Sequence, residues 1–387
     1  MAKKTKNQET EKAPVSLAEK LKNFQKIIDG ANNDAGHLVC GFIDDPQIAE
    51  RLTLKFVPTP NDDLNEALGG GFPIGRTSIV TGLSDSGKTS LLLETIGLNM
   101  AKDPNFIALW LESEQSLNLD YMIETFHIDP SRFIFVQMAP GEGAESALDY
   151  CEGFLKTKGI NMFVINSVKA LIPKTELNKS ITEDTVAMQA RMNTKMLKKY
   201  LNLIYENDIA FVMVQHLTTL IGSMGRDPYA LGGGLFMKYG GHIIIDMRKQ
   251  SILDTDPISR EEGMKIMISI KKNHVTPRVY PYVKVLHYIV YGYGTEIILT
   301  TLRKAVEKGV LNKSAGWISW PDKDLKWNGA SNFRKYMLEN PDDLQTLRNI
   351  VGGQVEVLSE EEMAELHINP DEDKAEEQEV FEEADDE

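Results

Sequence analysis

Short apolar runs alternate with longer stretches of helical periodicity through the central part of the chain. The runs that predict strands are residues 77–81, 106–111, 132–137, 162–165 and 209–214. Helical patterns follow residue 88 and lie around residues 144–156 and 187–206. Strands that alternate with helices predict an α/β fold, in which helices cover both faces of a mostly parallel sheet.

A second group of apolar runs follows with shorter connections. These runs cover residues 243–246, 264–270 and 282–287, with a further one near Ile289. Short connections favour antiparallel pairing, because parallel strands need a crossover of a dozen or more residues. We therefore expect these strands to extend the sheet as antiparallel additions at one edge.

The two ends of the chain differ from its centre. Near the N-terminus, Ser16 and Glu19 form a capping box that predicts an amphipathic helix. Its apolar face carries Leu17, Leu21, Phe24 and Ile28. Such an isolated helix needs a surface to pack on, either in a domain of its own or on a neighbouring subunit. From about Gly294 the pattern changes to short helices and a Trp-rich turn at residues 315–320.

These patterns divide the chain into four predicted segments. They are a basic tip with an oligomerisation helix (1–35), an α/β core (36–294), a small C-terminal α/β domain (295–355) and a disordered acidic tail (356–387).

The charge of the chain is unevenly distributed. Its 387 residues are 42% hydrophobic and 26% charged, with a formal net charge of −15. Residues 359–387 hold fifteen acidic residues and one lysine, so the rest of the chain is close to neutral. A near-neutral body can carry a local basic surface, for which an acidic tail competes with a polyanion. The alternative is a tail that only adds solubility. In both cases the segment is too polar to fold.

Several sequence features predict a cytoplasmic protein without a membrane partner. No apolar stretch approaches the roughly 20 residues that a membrane-spanning helix needs. The N-terminus is polar and lacks the apolar segment of a secretory signal. Cys40 and Cys151 have neither metal-type spacing nor the pattern of a disulfide framework.

Residues 82–90 read GLSDSGKTS, a complete G-x-x-x-x-G-K-[ST] phosphate-binding loop between a predicted strand and a predicted helix. Its successive N–H groups can point at phosphate oxygens. We expect Lys88 to reach the β- and γ-phosphates and Thr89 to offer its hydroxyl to Mg²⁺. The positions expected to contact the nucleotide are Gly82, Leu83, Ser84, Asp85, Ser86, Gly87, Lys88, Thr89 and Ser90. The chain is therefore predicted to bind a nucleoside triphosphate.

Polar residues at the ends of two predicted strands are candidates for nucleotide chemistry. Glu112 and Glu114 follow one strand, and Glu114 is the better general base because it lies further past the strand end. A pair of solvated loop carboxylates is the alternative. Asn166 follows another strand, where such enzymes usually carry an aspartate that holds Mg²⁺ through water. Asn166 can accept a hydrogen bond from a metal-bound water but brings no charge. Either metal binding is weakened, or Thr89 and a nearby carboxylate suffice.

A third strand end and two loops complete the candidate site. The strand at 209–214 is followed by His216, which could sense the γ-phosphate or be merely structural. Residues 217–234 form a long Gly-rich loop, and residues 174–186 form a second loop. Their candidate DNA contacts are Arg226 and Tyr229 in the first, and Lys174 and Lys179 in the second.

In this order, these pieces resemble the recombinases of the RecA family, including the UvsX type of T-even phages. The resemblance covers residues 64–354. Beyond the phosphate-binding loop it rests on LNEALGGGFPIGRTSIVTG, NSVKALIPKTEL with the later ARM, IGSMGRDPYALGGG with FMKYGG, EKGVLNKSAGWISW, and YMLENPDD. These segments look like the family's lead into its phosphate loop, its first and second DNA loops, and its C-terminal domain.

The resemblance implies roles for individual residues. Lys88 and Thr89 would bind phosphate and Mg²⁺, Glu114 would activate water, and His216 would sense the γ-phosphate. Asn118 and Tyr121 fall where the family contacts adenine, and Lys271 or Lys272 falls near the basic residues that reach ATP across a subunit interface. The implied DNA-binding positions are Lys174, Lys179, Arg191, Arg226, Tyr229, Gly233 and Gly234.

Two positions depart from the family pattern. Asn166 replaces the usual aspartate, which puts the hydrolysis rate in question but not ATP binding. Gly225 stands where an aromatic residue is expected early in the second DNA loop, and Tyr229 could substitute for that residue.

The resemblance implies an ATP-dependent DNA recombinase, and thus a DNA-dependent ATPase. It would form a helical filament on single-stranded DNA, pair it with a homologous duplex and exchange strands. The N-terminal helix would pack on the adjacent protomer, and a single-strand-binding or mediator protein is a further expected partner. One alternative is a hexameric DNA motor of the same core fold, such as a helicase. The other is a weakly hydrolysing mediator that binds ATP and DNA, for which Asn166 is the argument.

Overall fold

The computed structural model describes residues 16–36, 39–138, 141–177, 186–219, 229–231, 240–253, 258–276, 283–352 and 356–357. The chain forms two compact units, Met1–Leu54 and Lys55–Glu387. The boundary that the sequence predicts at residue 35 therefore falls inside the first unit.

The first unit contains helices α1 (Leu17–Ala35) and α2 (Pro46–Leu52). Helix α1 begins where the sequence predicts, because Ser16 Oγ accepts a hydrogen bond from the Glu19 N–H at 3.3 Å. On its predicted apolar face, Leu17, Leu21 and Phe24 are exposed and Ile28 is half-buried. Helix α1 therefore presents a largely apolar stripe to solvent.

The described part of the second unit contains an 11-stranded sheet, the two-stranded sheet β1–β2 and the three-stranded sheet β13–β14–β15. The strands and helices of the whole unit have the following bounds. The strands are β1 (Phe56–Val57), β2 (Phe72–Pro73), β3 (Thr77–Gly82), β4 (Ala108–Glu112), β5 (Phe133–Gln137), β6 (Met162–Asn166), β7 (Ala210–Thr219), β8 (Tyr229–Leu231), β9 (Ile243–Gln250), β10 (Gly263–Asn273), β11 (Val283–Val290), β12 (Gly294–Thr295), β13 (Asn312–Ser314), β14 (Trp317–Trp320), β15 (Leu325–Asn328) and β16 (Glu356–Val357). The helices are α3 (Asp62–Leu68), α4 (Lys88–Lys102), α5 (Leu119–Phe126), α6 (Ala144–Leu155), α7 (Lys174–Leu177), α8 (Val186–Glu206), α9 (Ile298–Glu307), α10 (Gly329–Glu339) and α11 (Pro341–Val351).

Nine strands of this sheet follow one another in the order β12, β11, β10, β9, β3, β7, β6, β4, β5, and the other two lie off this path, with β16 paired to β11 and β8 paired to β7. Every neighbouring pair from β9 to β5 is parallel, which confirms the predicted mostly parallel sheet. The prediction for the later strands is partly wrong. Strands β10, β11 and β12 are antiparallel additions, but β9 pairs in parallel with β3. The segment between β7 and β9 is long enough for a crossover. The run near Ile289 is the end of β11 and not a separate strand.

Helices cover both faces of the sheet, as predicted. Alternate residues of each strand point to opposite faces, so Val80 and Trp110 lie in one hydrophobic cluster and Ile79 and Leu109 in another. Helices α3, α4 and α5 contribute to the first cluster, and helices α6 and α8 contribute to the second. The strand ends that carry polar residues are thereby held between two packed layers.

A third hydrophobic cluster lies in residues 298–351, here called the C-terminal subdomain. It combines α9, α10 and α11 with the antiparallel sheet β13–β14–β15. The predicted Trp-rich turn is largely wrong, because residues 317–320 form β14. Trp317 is exposed while Ile318 and Trp320 are buried, which fits the two-residue period of a strand.

The C-terminal subdomain is attached to α3 by ion pairs. Arg348 Nη2 lies 2.6 Å from Asp62 Oδ1 and its Nε lies 2.8 Å from Asp62 Oδ2, so the pair is bidentate. Lys304 forms a largely buried ion pair with Asp63. These pairs fix one side of the subdomain to the helix that precedes β2.

A buried histidine makes the stability of this unit dependent on pH. His287 on β11 is fully buried, and its Nδ1 lies 3.3 Å from Asn61 Nδ2, while its Nε2 has no hydrogen-bond partner among the residues that the structure describes. Burial lowers the pKa of His287 from 6.5 to about 4. At a pH between these two pKa values, the imidazole therefore binds a proton in the unfolded chain but not in the folded chain. Stability should fall as the pH drops from about 6.5 towards 4, by on the order of 3 kcal/mol in total.

Urea unfolding midpoints at pH 7 and pH 5 test this expectation. The substitution His287→Gln should flatten the pH dependence, whereas His127→Asn, at an exposed histidine, should leave it as in the wild type. An equal pH dependence in all three proteins would contradict the assignment.

Candidate functional site

The phosphate-binding loop joins β3 to α4 and has the backbone form that anion binding needs. The φ angles of Gly82, Asp85 and Gly87 are 155°, 57° and 79°. A Cβ at Gly82 would lie 2.4 Å from the carbonyl oxygen of Met247, so only glycine fits there. The first turn of α4 has no side-chain cap. Its N–H groups are therefore available to an anion at the positive end of the helix.

Lys88 is held inside this loop by oxygen atoms. Its Nζ lies 2.6 Å from the carbonyl oxygen of Leu83, 3.2 Å from that of Gly82 and 3.3 Å from Ser86 Oγ. Burial lowers the pKa of Lys88, and the charges of Glu114, Asp85 and Asp246 act in the opposite direction. The loop thus concentrates one positive charge at the start of α4. Ser86 is buried, Thr89 and Ser90 are half-buried, and Leu83, Ser84 and Asp85 are exposed on the rim.

The carboxyl ends of β4 and β6 are hydrogen-bonded to each other. The Ser113 N–H donates to the Asn166 carbonyl at 2.8 Å, and the Ser167 N–H donates to Ser113 Oγ at 2.8 Å. Asn166 Nδ2 donates to Glu112 Oε2 at 3.1 Å. Glu112 also accepts hydrogen bonds from the Trp110 indole at 2.8 Å and the Glu114 N–H at 3.0 Å. Glu112 therefore organises the turn that carries Glu114.

Glu114 lies at the centre of a polar cluster at these strand ends. Its Oε1 is 2.8 Å from His216 Nε2 and accepts a hydrogen bond from Ser167 Oγ. Both contacts use Oε1, and Oε2 accepts no hydrogen bond from the part of the chain that the structure describes. The structure thus brings Glu114, His216 and Lys88 to one edge of the sheet, with Oε2 open to a water molecule.

The residues present fit a Mg²⁺ ion that is bound through water and phosphate. Asn166 Oδ1 is buried and has no hydrogen-bond partner in the described part of the chain, which is unusual for a polar atom in a protein interior. It can accept a hydrogen bond from a water in the coordination shell of a metal. Among the described residues there is no group of three or more His, Cys, Asp and Glu side chains that could hold a metal ion. A nucleotide would therefore have to supply much of the coordination.

The contact between Asn166 and Glu112 predicts the effect of restoring an aspartate. In Asn166→Asp the donor Nδ2 becomes an oxygen that faces Glu112 Oε2 in a buried site. We expect a loss of stability on the order of 1–3 kcal/mol, because a buried acceptor loses its donor. The loss should be smaller at pH 5 than at pH 8, since a proton shared between two carboxylates relieves their repulsion. Urea midpoints at both pH values measure it.

A double variant controls this prediction. Glu112→Gln combined with Asn166→Asp replaces the carboxylate pair by an amide and a carboxylate, and should recover part of the lost stability. Equal midpoints for Asn166→Asp and the wild type would show that the Asn166 amide does not support Glu112.

Sequence reasoning missed two residues of this site. Ser167 follows Asn166 and contacts Glu114, and Asp246 on β9 lies beside the loop on the other side of β3. Asp246 Oδ2 pairs with Arg248 Nε at 2.7 Å, and its charge acts on Lys88. The signal for Asp246 was available, since it ends a buried apolar run as Asn166 does.

The other predicted nucleotide contacts lie on α5 and on β10. Asn118 is the N-cap of α5, and its Oδ1 accepts a hydrogen bond from the Tyr121 N–H at 2.9 Å. The Tyr121 ring is partly exposed and packs edge-on against Phe126. Lys271 and Lys272 lie near the end of β10 that pairs with the start of β9, at the opposite edge of the sheet from the loop. The structure does not bring these two lysines to the loop of the same chain.

The predicted DNA-binding residues are described only in part. Lys174 begins α7 and Arg191 lies on α8, and both are exposed. Tyr229 begins β8, whose backbone pairs with the end of β7. Lys179, Gly225, Arg226, Gly233, Gly234 and residues 358–387 of the acidic tail lie outside the described residues. The predicted start of the disordered tail is wrong, because Glu356 and Val357 form β16 and pair with β11.

Comparison with known proteins assigns this arrangement to a family. Residues 46–296 match the family described as the RecA N-terminal domain. The chain belongs to the RecA family. Protein RecA of Aquifex pyrophilus is 26% identical over 337 residues, which cover 87% of this chain and 92% of that relative. Protein RecA of Mesoplasma florum is 30% identical over 286 residues, covering 73% and 82%. Protein RecA of Saccharopolyspora erythraea is 28% identical over 293 residues, covering 76% and 81%.

The RecA match confirms the resemblance that the sequence motifs indicate. It includes the phosphate-binding loop and the strand ends with Glu114, Asn166 and His216, and it ends before α9. Among the helices that the structure describes, none is long and apolar enough to cross a membrane.

Proposed function

We propose that this RecA-family chain is an ATP-dependent DNA recombinase. It would form a helical filament on single-stranded DNA, pair the strand with a homologous duplex and exchange strands. The observation that carries this proposal is the contact of 2.8 Å between Glu114 and His216 beside the phosphate-binding loop. This contact joins a candidate catalytic carboxylate to the strand that leads into the second predicted DNA loop.

The loop residues would hold the triphosphate and Mg²⁺. The N–H groups at the start of α4 and the Lys88 ammonium would bind phosphate oxygens, and the Thr89 hydroxyl would bind Mg²⁺. Asn166 Oδ1 would accept a hydrogen bond from a metal-bound water. When bound, the ion neutralises charge on the phosphates. Asn118 and Tyr121 would contact the adenine.

Glu114 is positioned to act as the general base. Ser167 and His216 hold Oε1, which leaves Oε2 to accept a proton from the attacking water. The backbone of Glu114 is fixed by Glu112 below it. Rotation of the carboxylate is therefore restricted by contacts on two sides.

His216 would couple the nucleotide to DNA binding. It lies on β7, which continues to Thr219 and leads into the predicted second DNA loop. A γ-phosphate that attracts His216 would change its contact with Glu114 and the path of the strand that follows. Lys174 and Arg191, both exposed, would contribute contacts to the DNA backbone, and such contacts are sensitive to salt.

Assembly of the filament would use the apolar stripe of α1. Leu17, Leu21 and Phe24 are exposed at the start of the chain, and burying them on a second copy would remove apolar area from water. Lys271 and Lys272 would reach the nucleotide of a neighbouring copy, since they lie away from the loop of their own chain.

The test is to measure ATP hydrolysis with and without single-stranded DNA and to image the same samples by negative-stain electron microscopy. Turnover that rises with DNA, together with extended filaments, is the expected result. Closed rings would instead indicate a hexameric motor. Filaments with negligible turnover would indicate a mediator.

A further inference from the structure

Glu94 connects the phosphate-binding helix to a distant part of the unit. It lies on α4 and is half-buried. The Thr295 N–H lies 2.9 Å from each carboxylate oxygen of Glu94, and Thr295 Oγ1 donates to Oε2 at 2.6 Å. Glu94 on α4 thus holds the backbone of β12 through hydrogen bonds that its carboxylate accepts. Hydrogen bonds to a carboxylate are stronger than those between neutral groups.

The chain on both sides is shaped to keep this contact. Gly294 has a φ of 90°, which strains any other residue, and a Cβ there would lie 2.9 Å from Glu94 Oε1 and displace that carboxylate. Burial raises the pKa of Glu94, and the two kinds of hydrogen bond from Thr295 act in the opposite direction. The hydrogen bonds from Thr295 therefore offset part of the effect of burial on the Glu94 pKa.

The next residue continues the connection into the C-terminal subdomain. Glu296 is buried, and its Oε1 accepts a hydrogen bond from the Leu299 N–H at 2.9 Å in the first turn of α9. Its Oε2 lies 2.9 Å from Arg334 Nη2 on α10. Thr295 and Glu296 therefore link α4 to two helices of the subdomain in succession.

We propose that Glu94 is a positioning residue that transmits occupancy of the phosphate-binding loop to the C-terminal subdomain through Thr295 and Glu296. The proposal rests on the proposed function, because the nucleotide is the ligand that would act on α4. Glu94 follows Lys88 by six residues, which is about 9 Å along a helix. A helix is stiff over this length, so a shift at its first turn also moves Glu94.

The other attachment of the subdomain turns such a shift into a rotation. Lys304 and Arg348 hold the subdomain on α3 through Asp63 and Asp62. A movement of Thr295 against this fixed side would reorient α9, whose first turn is capped by Glu296. The subdomain would thereby respond to a nucleotide that it does not contact.

Hydrogen exchange of the full-length protein, with and without Mg²⁺ and a non-hydrolysable ATP analogue, tests the relay. In the wild type we expect slower exchange in residues 82–102 and an altered rate in α9. In Glu94→Gln the amide group places a donor against the Thr295 donors. We expect the effect on residues 82–102 to remain and the effect on α9 to be lost. Thr295→Val should weaken the response of α9, and Thr295→Ser, which keeps both donors, should preserve it.

The matched control is Glu124→Gln, at an exposed glutamate on α5, which should behave as the wild type. A response of α9 that survives in both Glu94→Gln and Thr295→Val would overturn the relay. The relay would also be overturned if the analogue slows exchange in residues 82–102 of the wild type without changing exchange in α9. In that case the proposed nucleotide site would still stand. Loss of protection at residues 82–102 in Glu94→Gln would show that Glu94 supports binding itself. If the analogue does not slow exchange in residues 82–102 of the wild type, both the proposed function and the relay are contradicted. If Glu94→Gln fails to fold, the comparison of Thr295→Val with Thr295→Ser decides.

Discussion

Replacing Lys88 with alanine is expected to lower DNA-stimulated ATP turnover by at least about 100-fold and to abolish ATP-dependent filament formation. Lys88 is the positive charge inside the phosphate-binding loop, and three oxygens hold its ammonium there. Alanine removes that charge where the β- and γ-phosphates are expected to bind. Phosphate release with and without single-stranded DNA, and filament lengths by electron microscopy, measure both effects.

Lys102→Ala is the matched control for this experiment. Lys102 is exposed at the other end of the same helix, so its loss tests for a general effect of removing a lysine from α4. We expect turnover close to that of the wild type. Filaments of Lys88→Ala that still lengthen with ATP would exclude the proposed role of the loop.

Replacing Glu114 with glutamine is expected to lower kcat by about 10²- to 10⁴-fold while nucleotide binding is retained. Glutamine keeps the shape of the side chain and an oxygen that can accept from Ser167 and His216, but it cannot take a proton from water. The change should therefore affect the chemical step and leave the ground state nearly intact. Single-turnover hydrolysis measures the rate of the chemical step, and the affinity for a fluorescent ATP analogue measures binding in the ground state.

Two further variants distinguish the loss of the general base from the loss of a residue that only positions it. Ser167→Ala removes one contact to Glu114 and should cost less activity than Glu114→Gln, because His216 still holds Oε1. Glu124→Gln should have no effect on turnover. A Glu114→Gln variant with wild-type kcat would rule out Glu114 as the base. A variant that loses nucleotide affinity would give it a binding role instead.

The strand, loop and helix around the phosphate-binding motif could be predicted from the sequence, because β3, the loop and α4 are contiguous in the chain. The position of Glu114 was also predictable, since it depends only on where one strand ends. Its contact with Ser167 was not. That contact requires β4 and β6 to be neighbours in the sheet, and the order of strands is a property of the whole fold.

The orientation of the Asn166 side chain also could not be predicted from the sequence. The sequence places it at a strand end, where a metal ligand is expected. The structure adds that Nδ2 donates a hydrogen bond to Glu112, while Oδ1 has no partner within the described ranges, so one end of the amide is structural and the other is available. The parallel pairing of β9 is not predictable for a related reason: the Gly-rich segment before it indicates a loop and gives no sign of a crossover.

The place of β3 in the sheet has a consequence for how the protein is made. Its two neighbours, β7 and β9, come late in the chain, and Thr81 is hydrogen-bonded to Asp246, 165 positions further on. A nascent chain therefore carries the β3 sequence long before either partner strand has left the ribosome. Pairings between such distant segments form slowly, and an unpaired apolar strand is prone to aggregate. Because β3 leads directly into the phosphate-binding loop, nucleotide affinity is expected to arise only after β9 has been synthesised.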